Sequence, residues 1–551
     1  MSFNFLGKEV RGRFGFPPGV IAVNSDTARW MLNNIPQIGF YNGKSTTIDP
    51  KEGNPEDIIV QESSDSLRNA VGYTNPGLEA TIESFYEIKE SVPDDISLIP
   101  QIGESDEERF AYCASEFDKT PVDGIELNLS CPHAKNAGIL IGSDPQIVYS
   151  IVTAARKATK KPLIVKLNAG VSGIEKIARA AIDAGANGIS AINTLGGPNP
   201  ELYNKFGGLS GKPLFPITYD TVKRIRRAVN VPMIVMGGIS SADDIRKLNE
   251  IDNNFLYGIG TALKGLNSEE EKYYFKQLET DLKNGTNDAK NILNTDMLMD
   301  YKPFVVKDVV DFTKDLRLIK FYENLEIEPG QFIFLKIGDH AKPFSVANDN
   351  GSLEILVKRK GEFTSKTFDL KKNSVVRIRG PYGNNYLFSK NNTTVFVGAG
   401  CGIAPIHHAV THNNGNSFVV IGANTADELV YLDGFRKRSK IAYSTDDGSA
   451  GYRGYLTDLL DKKLKEWNLK DIDFFNCGPE IMLKKADEIE KKYTSPDKIY
   501  HLVERITSCG VGICGKCSIP NGKRTCVDGP WFDAIEFKPE EYSRDKTGKK
   551  M

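Results

Sequence analysis

Long apolar runs are missing from this chain of 551 residues. None approaches the roughly 20 residues that a membrane-spanning helix needs. The opening "MSFNFLGKEVRGRFG" lacks the apolar stretch of a secretory leader. An excess of one charge is missing too. The formal net charge is −2, so the charge balance calls for neither nucleic acid nor an anionic membrane as a partner. Cysteine is scarce, eight residues in all. The expected location is cytoplasmic, where cysteines serve as ligands or catalysts rather than as cross-links. A hydrophobic content of 40% with 26% charged residues is that of a globular protein, and the length calls for two to four domains.

Half of the cysteines stand close together, in "SCGVGICGKCSIPNGKRTC". Cys509, Cys514, Cys517 and Cys526 follow the spacing C-x4-C-x2-C-x8-C. The first three positions fit a plant-type [2Fe–2S] site. Gly510, Gly512 and Gly515 let the backbone wrap closely around a cluster. The alternative is a four-cysteine zinc site, but such sites favour paired C-x2-C knuckles and only one such pair exists here.

Up to about residue 285, β-rich runs alternate with segments of helical periodicity. The candidate strands are "GVIAV", "IGFYNGKS", "ISLIPQI", "GIELNLS", "PLIVKL", "GISAIN", "PMIVMGG" and "FLYGIG". Eight strands alternating with helices predict a TIM barrel, with its active site at the C-terminal strand ends. Polar residues gather there: Lys44 after the second strand, Asn128 and Cys131 after the fourth, Lys166 and Asn193 ending the fifth and sixth. Gly237 and Gly238 follow the seventh strand, and Gly260 and Thr261 the eighth. Their N–H groups suit a phosphate, although such glycines also make plain tight turns. Cys131 is open between a small buried hydrophobe and a general base, since a free thiol ionises near about 8.5.

Several stretches of this half, "KSTTIDPKEGNP", "LRNAVGYTNPG", "IELNLSCPHAKNAG", "IVKLNAG", "INTLGG", "GGLSGKPLFP" and "MGGISSADDI", together resemble the catalytic subunit of class 1 dihydroorotate dehydrogenases. The resemblance runs over roughly residues 15 to 265 and implies FMN at the barrel mouth. It implies that Lys44, Asn69, Asn128, Asn193 and Thr194 surround the substrate. Cys131 would be the base, and His133, where an asparagine is common, would join Lys44 in holding the substrate carboxylate. Lys166 would contact the flavin ring. Ala22, Lys44, Ser45, Asn128, Gly208, Gly237, Gly238, Gly260 and Thr261 would line the FMN. The family uses serine as base in its membrane-linked class, so cysteine points to the other class. Dihydropyrimidine dehydrogenases also carry "SCPH" and remain the alternative, but they carry further [4Fe–4S] cysteine sets that are missing here.

"NGTNDAKNILNTDMLMD" reads as a polar linker. Beyond it, "EPGQFIFLKI", "KPFSVAN", "SLEILVKRKGEFT" and "SVVRIRGPYGNN" have the alternation of a small antiparallel barrel. "TVFVGAGCGIAP", "SFVVIGANT", "KIAYSTDDGS" and "DFFNCGPEIM" then make a parallel α/β unit with nucleotide-site turns at strand ends. Barrel plus α/β unit resembles the ferredoxin-reductase family. That implies FAD against Lys342, Pro343, Phe344 and Ser345, with Gly361 and Thr364 near its pyrophosphate. It implies NAD against Gly398, Gly400, Gly402 and Cys477. The cysteine run closely resembles the electron-transfer subunit of class 1B dihydroorotate dehydrogenases.

The expected division is an FMN barrel over 1–285, a linker over 286–300, and an FAD-binding β-barrel over 301–390. An NAD-binding α/β domain over 391–498, a [2Fe–2S] domain over 499–540 and a tail over 541–551 complete it. The reading as a whole is oxidation of dihydroorotate, with electrons passing through FMN, [2Fe–2S] and FAD to NAD or another acceptor. The barrel family commonly dimerises, so a homodimer or higher homo-oligomer is expected, with no nucleic acid and no membrane insertion.

Overall fold

Parallel strands covered on both faces are apolar almost throughout, and the first half of the chain holds eight of them. In the computed structural model, which describes residues 3–55, 57–129, 141–386, 388 and 392–539, they are β1 (Phe14–Phe16), β2 (Ile38–Thr46), β3 (Ser97–Ile102), β4 (Ile125–Asn128), β5 (Leu163–Leu167), β6 (Gly188–Ala191), β7 (Met233–Met236) and β8 (Leu256–Gly258). They close into a parallel barrel in chain order. A hairpin of Phe3–Phe5 and Lys8–Val10 packs Phe5 and Val10 against Phe40, Ile99, Ile164 and Ile234. That apolar plug leaves the C-terminal strand ends for chemistry. Cys131, His133 and the tail 541–551 lie outside the described residues.

One predicted strand is corrected. "GVIAV" is a loop, and the first barrel strand lies just before it at Phe14–Phe16. Pro17 and Pro18 end that strand, because proline has no N–H to give to a ladder. The apolar residues of the loop are buried by another route. The compact unit built on the barrel comprises residues 1–298 together with 511–518 and 522–524, so part of the cysteine run belongs to it. Ile21 N–H donates to the Ile513 carbonyl at 2.8 Å and Gly265 N–H to that of Val511 at 2.9 Å. Gly515, at φ +65°, passes so near the loop that a Cβ would sit 2.0 Å from Val23 Cγ2. Only glycine fits there.

A buried ion pair fastens the same segment. Arg524 donates from Nη1 to Glu271 Oε1 and from Nη2 to Glu271 Oε2, both at 2.9 Å, and also to the Gly512 carbonyl at 2.8 Å. Both side chains are fully buried. Glu271 sits in the first turn of the helix Ser268–Asn284, whose start is fixed by a reciprocal Asn267–Glu270 cap. Removing one partner of such a pair leaves an uncompensated charge. Glu271→Ala is therefore expected to lower unfolding stability by about 3–5 kcal/mol, measured by chemical denaturation.

The second unit opens with a curled six-stranded antiparallel sheet. Its strands are β9 (Lys302–Thr313), β10 (Leu316–Phe321), β11 (Phe332–Ile337), β12 (His340–Ser345), β13 (Glu354–Lys358) and β14 (Val375–Tyr382), in the order β12-β11-β14-β9-β10-β13. A seven-stranded sheet follows, made of β15 (Thr393–Ala399), β16 (Asn416–Ala423), β17 (Lys440–Thr445), β18 (Tyr452–Arg453), β19 (Ile472–Cys477), β20 (Ile499–Leu502) and β21 (Trp531–Asp533). Its order is β18-β17-β16-β15-β19-β20-β21, parallel except for the last pair. Side chains alternate across it as the pleat requires. Val395 and Val397 enter the core under the helix Leu456–Trp467, while Phe396 enters the one under the helix Ile403–His412. Among the described residues no helix is long and apolar enough to cross a membrane.

Candidate active site

A cavity of about 610 Å³ opens at the C-terminal ends of the barrel strands. That is the size of a site for a cofactor or a small ligand. Lys44, Ser45, Asn69, Asn128, Lys166, Asn193, Thr194, Gly237, Gly238, Gly260 and Thr261 all line it, as does Ile513 from the cysteine run. Ala22 is buried in the loop after β1 and Gly208 lies behind Thr194, whose Oγ1 would be 2.1 Å from a Cβ there. Neither is part of the lining.

Local irregularity aims several of these groups. The ladder between β2 and β3 slips between Asn42 and Ser45, a bulge that redirects the side chains around it. Lys44 thereby faces the cavity. Burial in the wall, together with the Lys516 ammonium, brings Lys44 down to about 8, against an opposing pull from the Cys514 thiol. A small antiparallel sheet over the mouth pairs Asn69 with Gly208, and Asn69 Nδ2 donates to the Gly208 carbonyl at 3.2 Å.

Behind Asn128 stands a polar chain that the sequence reading missed. Asn128 Nδ2 donates to Ser45 Oγ at 3.1 Å and to Gln101 Oε1 at 3.4 Å. Ser45 Oγ also donates to Gln101 Oε1, and Gln101 Nε2 donates to the buried Glu126. Asn42 Nδ2 completes the set, 3.0 Å from Glu126 Oε2. On the other side Asn193 Nδ2 donates to Asn128 Oδ1 at 3.4 Å, and Thr194 N–H to Asn193 Oδ1 at 2.9 Å. The carboxylate accepts only, so it orients Gln101, and Gln101 in turn orients Asn128. Two further lining residues lie near the glycine turns: Ser210, which accepts from Thr261 Oγ1 at 2.8 Å, and Lys212, which grips Asp244 at 2.5 and 2.6 Å.

Amides and a buried ammonium at one end, with glycine turns and lysines at the other, fit a planar, amide-bearing cofactor with an anionic tail. Comparison with known proteins agrees. Residues 1–269 match the family described as "Dihydroorotate dehydrogenase". Residues 299–386 match "Oxidoreductase FAD-binding domain", and residues 504–538 match "Iron-sulfur cluster binding domain of dihydroorotate dehydrogenase B". The chain is 36% identical over 261 residues to the "Probable dihydroorotate dehydrogenase B (NAD(+)), electron transfer subunit" of Methanocaldococcus jannaschii, which covers 45% of this chain and 98% of that subunit. It is 37% identical over 252 residues to the "Dihydroorotate dehydrogenase B (NAD(+)), catalytic subunit" of Pelobacter propionicus, covering 44% of this chain and 81% of that subunit. The chain belongs to the dihydroorotate dehydrogenase B family. It carries the counterparts of both subunits in one polypeptide.

The other candidate residues of this dihydroorotate dehydrogenase B chain fall on described elements. Cys509, Cys514, Cys517 and Cys526 are each buried, and none is in a disulfide. In the second unit Arg379 donates to the carbonyls of Cys509 and Ser508, at 2.7 and 2.9 Å. Lys342 is exposed and Pro343, Phe344 and Ser345 are partly so, all on β12. The Phe344 ring packs against Phe363 at 6.1 Å, in the short helix that begins after Gly361. Thr364 Oγ1 accepts from the N–H groups of Lys360 and Gly361 at 2.9 and 3.0 Å.

Gly398, the penultimate residue of β15, stands opposite Cys477, the last of β19, so the nucleotide-site candidates sit at adjacent C-terminal strand ends, where ligands bind in open parallel sheets. The turn that follows holds Gly400 and Gly402. A Cβ on Gly402 would lie 2.2 Å from the Cys477 carbonyl oxygen, so this glycine is demanded by packing against β19. Burial pushes the Cys477 thiol well up. Cys113, which no motif claims, is likewise pushed up to about 12 by burial and packs in the helix Glu107–Asp118.

Next to Cys477, Asn476 Nδ2 donates to Glu490 Oε2 at 2.8 Å. Glu490 is fully buried, and burial raises its carboxyl from the ordinary 4.5 to about 8. A folded-state value above the unfolded one means stability that is present at low pH and is lost as the pH rises from about 4.5 through about 8. Glu490→Gln keeps the shape and removes the titration. It is expected to flatten the pH dependence of Tm across that window and to raise Tm most at its alkaline end, read by calorimetry from pH 5 to 9.

Proposed function

We infer that this chain oxidises dihydroorotate to orotate in pyrimidine biosynthesis and passes the electrons to NAD, so that one orotate, one NADH and one proton are formed per turnover. The observation that carries the reading is the convergence of Lys44, Asn128, Lys166 and Asn193 on one cavity in a chain that also matches the cluster-binding family. When bound, FMN supplies hydride acceptance, the [2Fe–2S] cluster one-electron carriage, and FAD the return to two-electron transfer.

The chain's own residues do the rest. Asn69, Asn128, Asn193 and Thr194 hold the pyrimidine amides by paired hydrogen bonds. The Glu126–Gln101–Asn128 chain fixes which face of the Asn128 amide meets the substrate. Lys44 and His133 hold the substrate carboxylate. Cys131 takes the proton from C5 as hydride leaves C6. Lys166 sets its ammonium against the flavin ring, favouring negative charge there. Gly237, Gly238, Gly260 and Thr261 turn N–H groups toward the phosphate. Cys509, Cys514, Cys517 and Cys526 hold the iron. Lys342, Pro343, Phe344, Ser345, Gly361 and Thr364 line FAD, and Gly398, Gly400, Gly402 and Cys477 line NAD.

The barrel, FAD and nucleotide limits proposed from the sequence go with this reading, as does assembly into a homo-oligomer, while the cysteine run is shared between the two units. The test is anaerobic turnover with NAD. Dihydroorotate should give orotate and NADH one to one, and dihydrouracil should give neither. Equal use of dihydrouracil would move the assignment to dihydropyrimidine oxidation, and orotate without NADH would move it to another acceptor.

A further inference from the structure

Three side chains far from the reaction cavity converge in the second unit. Asp349 lies in the connection between β12 and β13. His408 and His412 stand one turn apart at the end of the helix Ile403–His412, hence on one face. Asp349 Oδ1 is 3.3 Å from His408 Nε2 and 3.7 Å from His412 Nε2, and one ligand atom from each residue lies within 4.8 Å of the others. We propose that Asp349, His408 and His412 form a binding site for a divalent transition metal of the zinc type, which clips the flavin sheet to the first helix of the nucleotide sheet.

The spacing suits the ion. Tetrahedral zinc with bonds of about 2.0–2.1 Å holds its ligand atoms about 3.3–3.4 Å apart, close to the two distances found. The tautomers suit it as well. His412 Nδ1 is 3.0 Å from the His408 carbonyl. A carbonyl only accepts, so the proton is on Nδ1 and the Nε2 lone pair is left to a metal. His408 Nε2 is sealed from solvent and makes no hydrogen bond of acceptable geometry, a costly state for a buried polar atom. Asp349 gives its other oxygen to the Ile327 N–H at 3.4 Å, which leaves Oδ1 to the imidazoles. His407, one residue before the first ligand, is already engaged: its Nδ1 lies 2.8 Å from the Ala347 carbonyl and its ring stacks on Tyr431 at 4.1 Å. Two imidazoles and one carboxylate favour zinc over calcium or magnesium. The His412 side chain is 31% exposed, giving the ion a way in and room for a water as fourth ligand.

The test uses holoprotein with its iron–sulfur cluster intact, so that the cysteines are occupied. After exposure to micromolar zinc and desalting, elemental analysis should find one zinc per chain beyond the iron. Cobalt(II) should give weak visible bands of nitrogen and oxygen ligation, without the intense near-ultraviolet band of a thiolate. His412→Ala, which removes the partly exposed ligand itself, should weaken zinc binding by at least the roughly 10–100-fold that losing an outer-shell partner costs. Asp349→Asn should do the same while keeping the local shape. No retained zinc in the wild type, equal retention in both variants, or a thiolate band with cobalt would each overturn the proposal. The first of these would make the cluster a histidine–carboxylate ion pair.

Discussion

Cys131→Ala is expected to slow the reduction of the enzyme by dihydroorotate about 10²–10⁴-fold, the contribution of a positioned general base. The residue follows β4, whose last residue, Asn128, is already in the cavity wall. Stopped-flow bleaching of flavin absorbance without oxygen measures the step directly, with flavin content determined in parallel. Cys131→Ser should retain part of the rate with its optimum moved to higher pH, because a hydroxyl ionises less readily than a thiol. An alanine variant within a few-fold of wild type would mean that another group takes the C5 proton.

Cys514→Ser is expected to separate the two ends of the reaction. A soft thiolate ligand is lost, and the iron–sulfur cluster should fail to assemble or become labile. The cavity residues of the barrel remain, so dihydroorotate should still bleach flavin in a single turnover. NADH should still reduce flavin bound in the second unit. Steady-state formation of NADH from dihydroorotate should collapse, because the one-electron carrier between the two is gone. Iron content, both half-reactions and overall turnover are measured on the same preparation. Full turnover in a preparation without iron would make the cysteine run a structural element and rule out the relay.

Seven of the eight barrel strands could be read from the sequence, because strands covered on both faces leave an uninterrupted apolar signature. The first was misplaced for a reason that sequence periodicity cannot reveal. Val20, Ile21 and Val23 look like a strand, yet Ile21 and Val23 meet residues near 513 and 515 that stand some five hundred positions away. Most of the cavity residues were legible because they sit at strand ends in motif order. Gln101, which also lines the cavity, was not, since a glutamine inside an otherwise apolar strand carries no motif. Asp349, His408 and His412 were invisible for a similar reason. A histidine pair at helical spacing needs a third ligand, and only the fold brings one from the loop after β12.

The barrel unit is assembled from separate stretches of chain, with residues 299–510 intervening before 511–518 can join it. During synthesis at about 5–20 residues per second, that interval lasts about 10–40 s. Throughout it the β1 loop has no Ile513 carbonyl for its N–H and no Gly515 backbone against Val23, and Glu271 is a buried carboxylate in waiting. The nascent barrel is thus held in an unfinished state while the second unit is being made. Chaperone engagement and proteolytic sensitivity should concentrate on the β1 loop and the start of the helix Ser268–Asn284, and should end when Arg524 arrives.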